Sequence, residues 1–295
     1  MKLTFLGTGT SHGVPVIKCN CKVCRSKNKK DKRYRSSVFI QTNKNKNILI
    51  DIGPEFRIQA LENKITKIDT LLLTHSHADH FHGIDDLRIF SCNMYKKPED
   101  PKSLEQYNAP PIPIFANSST VQDIGTRFSY FFNQCKEGGG FAKVELKEIT
   151  NTESFIHDDI TITPIPMLHG RLETCGWLLS EIQNDGTTHS IAYLTDCSFI
   201  ANDSLNLINK NCGILDHLII DALRVKEHST HFNFDKAMKA ANQTNAKHVW
   251  FTHLTHSHSH KEVIKYIKKQ IHNYPTLEKC KSVLPAYDKL VIYTK

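Results

Sequence analysis

The sequence predicts an α/β fold built as a single domain. Short runs of β-branched and aromatic residues alternate with segments of helical periodicity, which is the pattern of α/β proteins. Five of these runs end in a histidine or an aspartate, as expected where strands deliver side chains to one edge of a sheet. Because the candidate metal ligands run from position 75 to 253 and must converge, residues 1–295 are assigned to one domain.

The first half of the chain is predicted to form one sheet with its helices. The expected elements are a strand at Lys2–Leu6, a β pair around Ser37–Ile40 and Ile48–Asp51, a helix at Pro54–Asn63, a strand at Asp69–Thr74, an amphipathic helix from Gly83 and a helix at Ser118–Phe132. Between residues 93 and 113, five prolines are expected to break any regular structure. This stretch is predicted to be an ordered insertion or a lid, with a plain surface loop as the alternative.

The second half is predicted to begin with an antiparallel sheet and to continue with alternating strands and helices. The strands of that sheet are expected at Ile160–Ile165, Gly176–Ser180 and Ser190–Thr195. The later elements are a strand at Leu218–Asp221, a helix at Phe234–Asn242, a strand at Val249–Thr252 and a helix at His258–His272. The histidines at the start of this last helix, His258 and His260, are predicted to be solvated.

The segment Thr74–His80 has the strongest chemical signal in the chain. It places three imidazoles and a carboxylate directly after the apolar run Leu71–Leu73. Residues i and i+2 of an extended segment point to the same side, so the first two histidines can bind one metal while the last two ligand residues reach a second. Imidazole and carboxylate are ligands of zinc, manganese and iron. The predicted ligands in this segment are His75, His77, Asp79 and His80.

Four further strands end in a residue of ligand type. A single histidine or aspartate after a strand is usually a loop residue, but several strand ends at one sheet edge indicate a shared site. The four residues are Asp51, His169, Asp196 and His253. On residue chemistry alone, Asp51 could equally cap the turn at Gly53–Pro54.

With these motifs the sequence resembles the metallo-β-lactamase superfamily. The signature His-x-His-x-Asp-His, followed by a His, an Asp and a last His, matches this chain at His75, His77, Asp79, His80, His169, Asp196 and His253. The resemblance implies a four-layer αβ/βα sandwich with a dinuclear metal centre at one edge of the two sheets. It implies that the first metal is held by His75, His77 and His169, and the second by Asp79, His80 and His253. Asp196 would bridge both ions, and Asp51 would be the carboxylate that orients the ligand loop.

A second metal site is predicted from the cysteines near the start of the chain. Cys19-x-Cys21-x-x-Cys24 supplies three thiolates within residues 16–33, and tetrahedral structural zinc needs one more nitrogen or sulfur donor. No such donor lies in the next fifteen residues, so the fourth must come from further along the chain, and His256, three residues after the predicted ligand His253, is the best candidate. The alternative is a redox-active or chance cluster of thiols.

The segment at residues 16–33, called the cysteine knuckle below, is similar to one found in a branch of the superfamily. That branch is the PhnP-like cyclic-phosphate phosphodiesterases associated with bacterial phosphonate breakdown. That branch carries the same cysteine spacing, and a histidine 22 residues before the last active-site ligand acts as general acid. In this chain the position is His231, with His228 as its competitor. Ser11, His12 and Arg224 are weaker candidates for contacts with phosphate or sugar, and a surface salt bridge is the alternative for Arg224.

Composition narrows the class of protein. The 39% hydrophobic content suffices for a packed core, and no apolar stretch reaches the length of a membrane span. Nine cysteines, an odd number, and the absence of a secretory h-region at the start favour reduced thiols in the cytoplasm. A net charge of +8 suits a phosphorylated substrate but is weak support for a nucleic-acid partner. Relatives are often dimers, so a homodimer is left open.

The resemblance therefore implies a metal-dependent phosphodiesterase. It would use a hydroxide activated by two divalent ions (Zn²⁺ or Mn²⁺, with Fe as a further option), and a third, structural Zn²⁺ would hold the knuckle. The expected substrate is a small phosphodiester, such as a cyclic ribose phosphate or cyclic nucleotide. The first alternative is a transfer-RNA 3′-processing endonuclease, although its long arm and His-Glu-Ala-Thr segment are not evident. Thioester or lactone hydrolysis and a non-enzymatic metal-binding scaffold are the others.

Overall fold

The computed structural model describes residues 1–94, 97–132 and 140–295, which form two seven-stranded sheets and a small two-stranded one. Within these residues the strands are, in chain order, β1 Lys2–Gly7, β2 Ser37–Gln41, β3 Asn47–Ile50, β4 Thr70–Leu72, β5 Cys92–Met94, β6 Ile112–Ala116, β7 Gly140–Ala142, β8 Val144–Glu148, β9 Phe155–His157, β10 Ile160–His169, β11 Leu172–Ile182, β12 Thr188–Leu194, β13 Ile214–Asp221, β14 His248–Thr252, β15 Ser282–Pro285 and β16 Val291–Tyr293. The α-helices are α1 Phe56–Glu62, α2 Ala78–Phe81, α3 Pro101–Asn108, α4 Ser118–Arg127, α5 Asn202–Asn211, α6 Phe234–Ala241, α7 His260–Gln270 and α8 Pro275–Glu278.

The two large sheets repeat the same pattern of pairing. The first has the order β16-β1-β2-β3-β4-β6-β8, and the second has the order β15-β14-β13-β12-β11-β10-β9. The first sheet begins with three antiparallel pairs and continues with three parallel ones. In the second sheet, the three pairs from β9 to β12 are antiparallel and the three pairs from β12 to β15 are parallel. The fold therefore has two similar halves, although no internal repeat is visible in the sequence.

Side-chain alternation along the strands separates three layers of core. In β1, Leu3 and Phe5 pack between the two sheets, whereas Leu6 faces the outer helices of the first sheet. In β13, Ile219 points between the sheets while Leu218 packs under the helices of the second sheet. Strands that are buried on both faces have continuous runs of apolar residues in the sequence. The predicted four-layer αβ/βα sandwich is confirmed.

Side-chain caps place two helices directly after candidate site residues. Asn233 accepts a hydrogen bond from the backbone N–H of Lys236 at 2.8 Å and starts α6 just after His231. Ser259 and Glu262 form a reciprocal capping box that starts α7 shortly after His256. Such caps contribute about 1 kcal/mol each, so the positions where these loops end are locally determined.

Two predicted elements differ from the structure. The amphipathic helix expected from Gly83 is a 3₁₀ helix at Ile84–Ile89, in which backbone bonds span three residues. The prediction that prolines break all regular structure between residues 93 and 113 is wrong. Pro101 starts α3, where a missing N–H costs nothing, and β6 includes Pro113. Residues 95 and 96 of this stretch lie outside the described residues, and a role as a lid stays a prediction.

No helix among the described residues is both long and apolar enough to cross a membrane.

Candidate active site

The predicted ligands come together at one edge of the two sheets. His75 follows β4 in the first sheet, while His169, Asp196 and His253 stand at the ends of β10, β12 and β14 in the second. Several triads have ligand atoms that all lie within 4.8 Å of one another. These triads are His75, His77 and His169; His75, His80 and Asp196; and Asp79, His80 and His253. The structure thus brings all seven residues of the sequence signature to one place.

Three of the strand-end residues have an unusual backbone conformation. Asp51, Asp196 and His253 have φ angles of 60°, 54° and 58°. Residues other than glycine rarely adopt this left-handed region, and such strain persists only where the surrounding structure enforces it. Asp51 and His253 come directly after their strands and Asp196 comes one residue later, so a sharp turn at each strand end aims the side chain into the shared edge.

The hydrogen bonds of the ligand histidines leave at least one ring nitrogen of each free to bind a metal. His75 Nδ1 lies 2.9 Å from Thr74 Oγ1, and His169 Nδ1 lies 2.6 Å from the carbonyl oxygen of Thr230. Among the ligand histidines, four buried nitrogens make no hydrogen bond: Nε2 of His75, Nε2 of His80 and both ring nitrogens of His253. Burial lowers the pKa of His253 to about 3 and holds that of His75 well below its usual value. Neutral imidazoles with a free nitrogen are the form that binds metal, so the donor set fits divalent ions.

Asp196 lies between the two groups of ligands. Its Oδ2 is 3.1 Å from His80 Nε2, and its Oδ1 is 3.2 Å from His253 Nε2. Burial opposes ionisation, yet the imidazoles of His253 and His80 hold the pKa of Asp196 well below its usual value. Burial likewise opposes the charged form of His80, but Asp196, Asp79 and Asp51 raise its pKa well above normal. The site therefore favours positive charge at its centre.

Asp51 contacts the ligand loop through its carboxylate. The side chain is fully buried, and its Oδ2 lies 2.7 Å from His80 Nδ1. The backbone N–H of Thr74 donates to Oδ1 at 2.9 Å, and the Thr74 hydroxyl donates to Oδ2 at 2.9 Å. These contacts correspond to the orienting role that the resemblance implies.

A carboxylate missed in the sequence holds the predicted general acid. Asp221 ends β13, and its Oδ2 lies 2.8 Å from His231 Nδ1 and accepts from the backbone N–H of Cys197 at 2.9 Å. The ring of His231 stacks on His253 with centroids 4.6 Å apart, and its edge meets His169 at 4.4 Å. Burial opposes the charged form of His231, but Asp221 raises its pKa. The same strand-end pattern that marked the ligands was the available signal for Asp221.

Helix α4 holds the ligand loop through a second pair of residues that the sequence reasoning missed. Ser76, between two predicted ligands, donates its hydroxyl hydrogen to Asp123. Arg127, one turn further along, donates to the backbone carbonyl of Ser76 at 3.1 Å and lies 3.3 Å from Asp123. Its guanidinium also covers the ring of Phe81 at 5.1 Å. No sequence signal marked this pair, because polar residues on a helix are usually solvated.

The cysteine knuckle has the dimensions of a tetrahedral zinc site. The Sγ atoms of Cys19, Cys21 and Cys24 lie 3.3, 3.5 and 3.4 Å from His256 Nδ1. Zinc bonds of about 2.3 Å to sulfur and 2.0 Å to nitrogen give an S···N separation of roughly 3.5 Å. The Cys24 backbone N–H lowers the pKa of the Cys21 thiol to about 6, which favours the thiolate. The four residues therefore fit a structural zinc.

The prediction that His260 is solvated is wrong. It is 5% exposed, and the edge of its ring meets Tyr287 with centroids 5.6 Å apart. Its backbone N–H donates to the buried carboxylate of Asp31 at 2.7 Å. Contacts with two distant segments, which local sequence does not show, exclude water from this helix start.

A cavity of about 410 Å³ opens onto the metal-binding edge. The weaker sequence candidates all line it: Ser11, His12, Arg224 and His228. Nδ1 of His228 accepts from the backbone N–H of Thr230 at 3.3 Å, which leaves its Nε2 as a donor. Arg224 donates to the carbonyls of Lys226 and Glu227 at 3.3 and 3.4 Å, so it bonds to its own loop.

Known proteins resemble this chain over most of its length. A β-lactamase superfamily domain matches residues 46–254. An octanoyltransferase of Porphyromonas gingivalis is 33% identical over 281 residues, covering 94% of this chain and 51% of that protein. The chain spans about half the length of the curated relatives that it matches.

Solved structures are also similar to this chain. A diphosphatase from the PhnP family is 34% identical with a TM-score of 0.79, covering 100% of this chain and 98% of its own. Zinc-bound PqqB from Methylobacterium extorquens has a TM-score of 0.73 at 15% identity, covering 99% of this chain and 100% of its own, and it shows the fold alone. With the domain match and the converging ligands, the chain belongs to the metallo-β-lactamase superfamily.

Proposed function

We propose that this superfamily hydrolase cleaves a small phosphodiester, such as a cyclic ribose phosphate or cyclic nucleotide. The observation that carries the proposal is the His231–Asp221 pair beside the seven converging ligand residues. A proton donor next to a metal site suits a reaction whose leaving alkoxide needs a proton. The cavity of about 410 Å³ suits a small substrate.

The likeness to a PhnP-family diphosphatase supports hydrolysis of a phosphorus–oxygen bond. A diphosphate bond and a phosphodiester place the same demands on the site, namely a nucleophile and groups that offset charge on phosphoryl oxygens. They differ in the leaving group, because a departing phosphate needs less help from an acid than an alkoxide does. The contribution of His231 therefore separates the two substrate classes.

We propose two divalent ions and one structural zinc as cofactors. The first ion would be held by His75, His77 and His169, the second by Asp79, His80 and His253, with Asp196 shared between them. Imidazole and carboxylate donors suit zinc, manganese and iron alike. The structural zinc would be held by Cys19, Cys21, Cys24 and His256, whose distances fit it.

Side chains of this protein supply proton donation and substrate orientation. When bound, divalent ions lower the pKa of water and offset charge on phosphoryl oxygens. His231 holds a proton and lines the cavity through the ring edge opposite Asp221, where it can protonate a leaving oxygen. Asp221 fixes the ring and favours its charged form. His228 and Arg224 line the same cavity and are proposed to orient the substrate.

Hydrolysis of an acyl ester or thioester is the second candidate, because a relative is named an octanoyltransferase. Acyl transfer through a covalent intermediate commonly uses a cysteine or lysine nucleophile. Among the described residues that line the cavity there is neither a cysteine nor a lysine. An acyl substrate would therefore be hydrolysed at the same metal-binding edge.

Purified protein loaded with Mn²⁺ or Zn²⁺ tests the proposal. It is expected to hydrolyse bis-p-nitrophenyl phosphate and at least one member of a panel of cyclic phosphates. Asp196→Asn is the control and should abolish both activities. Turnover of an octanoyl thioester without turnover of any phosphodiester or diphosphate would overturn the proposal in favour of the second candidate.

A further inference from the structure

A second cavity, of about 600 Å³, lies between the cysteine-knuckle loop and the loop near the C-terminal end of the chain. Val14, Pro15, Tyr34 and Tyr287 supply apolar and aromatic wall. It shares no lining residue with the cavity at the metal-binding edge. No step of the proposed reaction uses it, so its composition needs a separate explanation.

The second cavity is strongly basic. Five basic residues line it, namely Lys29, Lys30, Lys32, Arg33 and Lys289, against the two acids Glu62 and Asp288. Two of these groups already have partners: Lys289 lies 3.3 Å from Glu62, and Lys32 donates to the carbonyl oxygen of Cys24 at 2.9 Å. Lys30 sits over the ring of Tyr287, 4.2 Å from its centroid. The remaining excess of positive charge favours an anion.

Arg33 adds a buried positive charge behind this wall. Its side chain is fully buried, and Nη1 donates to the carbonyl oxygen of Thr255 at 3.0 Å. Nε and Nη2 make no hydrogen bond, and the carboxylate of Asp31 is 4.0 Å away. A buried guanidinium with unpaired N–H groups is costly, because desolvation is not offset by hydrogen bonds. These atoms have almost no exposed surface, so an anion in the cavity would offset part of that cost through its charge, without contacting them.

The acid nearest to Arg33 along the wall offers little opposition to an anion. Asp288 accepts from the hydroxyl of Thr8 at 2.7 Å and from the backbone N–H of Tyr34 at 2.6 Å. Both carboxylate oxygens therefore already have donors. Burial raises the pKa of Asp288 to about 7, which reduces its negative charge near neutral pH.

We propose that this second cavity binds a small phosphate monoester with a flat apolar body, the class that includes nucleoside monophosphates. The phosphate would pair with the exposed Lys29 and Lys30, with the buried charge of Arg33 behind them, since clustered basic groups match a dianion better than a single carboxylate. The apolar body would lie against the tyrosine wall. The site is separate from the metal-binding edge and does not depend on the proposed reaction.

Ligand binding in the second cavity is expected to affect the active site through two sets of hydrogen bonds. Arg33 bonds to Thr255, which lies between the active-site His253 and the knuckle's His256. Thr8 bonds to Asp288 through its hydroxyl and accepts the backbone N–H of Leu254 through its carbonyl at 2.9 Å. An anion that attracts the guanidinium of Arg33 through its charge therefore acts on the loop that carries both histidines.

Calorimetric titration of the metal-loaded protein with AMP, inorganic phosphate and benzoate tests the proposal. AMP is expected to bind more tightly than inorganic phosphate, and benzoate more weakly still. The double variant Lys29→Ala/Lys30→Ala should weaken AMP binding about tenfold or more. Both lysines are exposed, so folding should survive the change.

The matched control is Lys268→Ala/Lys269→Ala, which removes the same charge from two exposed lysines of α7. It should bind AMP as the wild type does. Absence of AMP binding to the wild type at millimolar concentration would overturn the proposal. So would equal AMP affinity in the wild type and the Lys29/Lys30 variant, because the ligand would then be held at the metal-binding edge.

Discussion

The contact between Asp221 and His231 allows a substitution that removes charge and little else. Oδ2 of Asp221 accepts both hydrogen bonds, from Cys197 and His231, whereas its buried Oδ1 has no partner. In Asp221→Asn the amide oxygen can replace Oδ2, and the amide nitrogen can take the place of the unpartnered oxygen. The variant should keep both hydrogen bonds and lose the charge that favours protonated His231.

The expected loss of rate follows from replacing a hydrogen bond to a charged carboxylate with one to a neutral amide. Hydrogen bonds to charged groups contribute about 1.5–3 kcal/mol, and those between neutral groups about 0.5–1.5 kcal/mol. The difference of about 1–1.5 kcal/mol corresponds to roughly 5–15-fold in rate. If His231 protonates the leaving oxygen, this loss should appear with poor leaving groups and nearly vanish with p-nitrophenolate. The assay measures kcat across aryl phosphodiesters from p-nitrophenyl to phenyl.

Strand β13 supplies a matched control at its other end. Asp216 is also a buried carboxylate, with Oδ2 2.5 Å from His189 Nδ1 and Oδ1 2.9 Å from Lys247 Nζ. Five residues of strand place it ~16 Å from Asp221. Asp216→Asn should lower the unfolding temperature without changing the dependence on leaving group. An equal loss of kcat for every leaving group in Asp221→Asn would refute a role through proton donation.

Three further substitutions test the metal sites. Asp51→Asn should weaken metal affinity by about 10–100-fold, measured by competition with a fluorescent chelator, because His80 loses its carboxylate partner; wild-type affinity would contradict this role. Arg127→Met should lower metal retention during dialysis, since the carbonyl of Ser76 loses its donor, and unaltered retention would show that α4 does not position the loop. Cys24→Ser should remove one zinc equivalent by elemental analysis, and an unchanged zinc content would exclude the knuckle site.

The ligand residues could be located from sequence because their signal is local. A histidine or aspartate directly after an apolar run marks a strand end, and strand ends of a sheet meet at one edge. His169, Asp196 and His253 follow this rule, and the structure brings them together. Asp221 follows it too, but the rule does not say which strand-end acid contacts a metal ligand and which contacts another histidine.

Other features escaped sequence reasoning because their meaning depends on a distant partner. Asp123 and Arg127 have the spacing of an exposed helical ion pair, and only the approach of α4 to the ligand loop gives them Ser76 as a partner. His260 has the sequence context of a solvated helix start, yet Asp31 and Tyr287 bury it. Polar residues on helices look alike in sequence whether or not another segment covers them.

The amino-acid sequence by itself determined the superfamily, the α/β architecture and the residues with ligand chemistry, because these depend on short segments and their spacing. Only the tertiary structure decided how those residues are supported. The pairing of Asp221 with His231, the contact of α4 with the ligand loop and the basic cavity around Arg33 each join segments far apart in the chain. Such contacts depend on how the sheets and helices pack, and local sequence patterns carry no record of that packing.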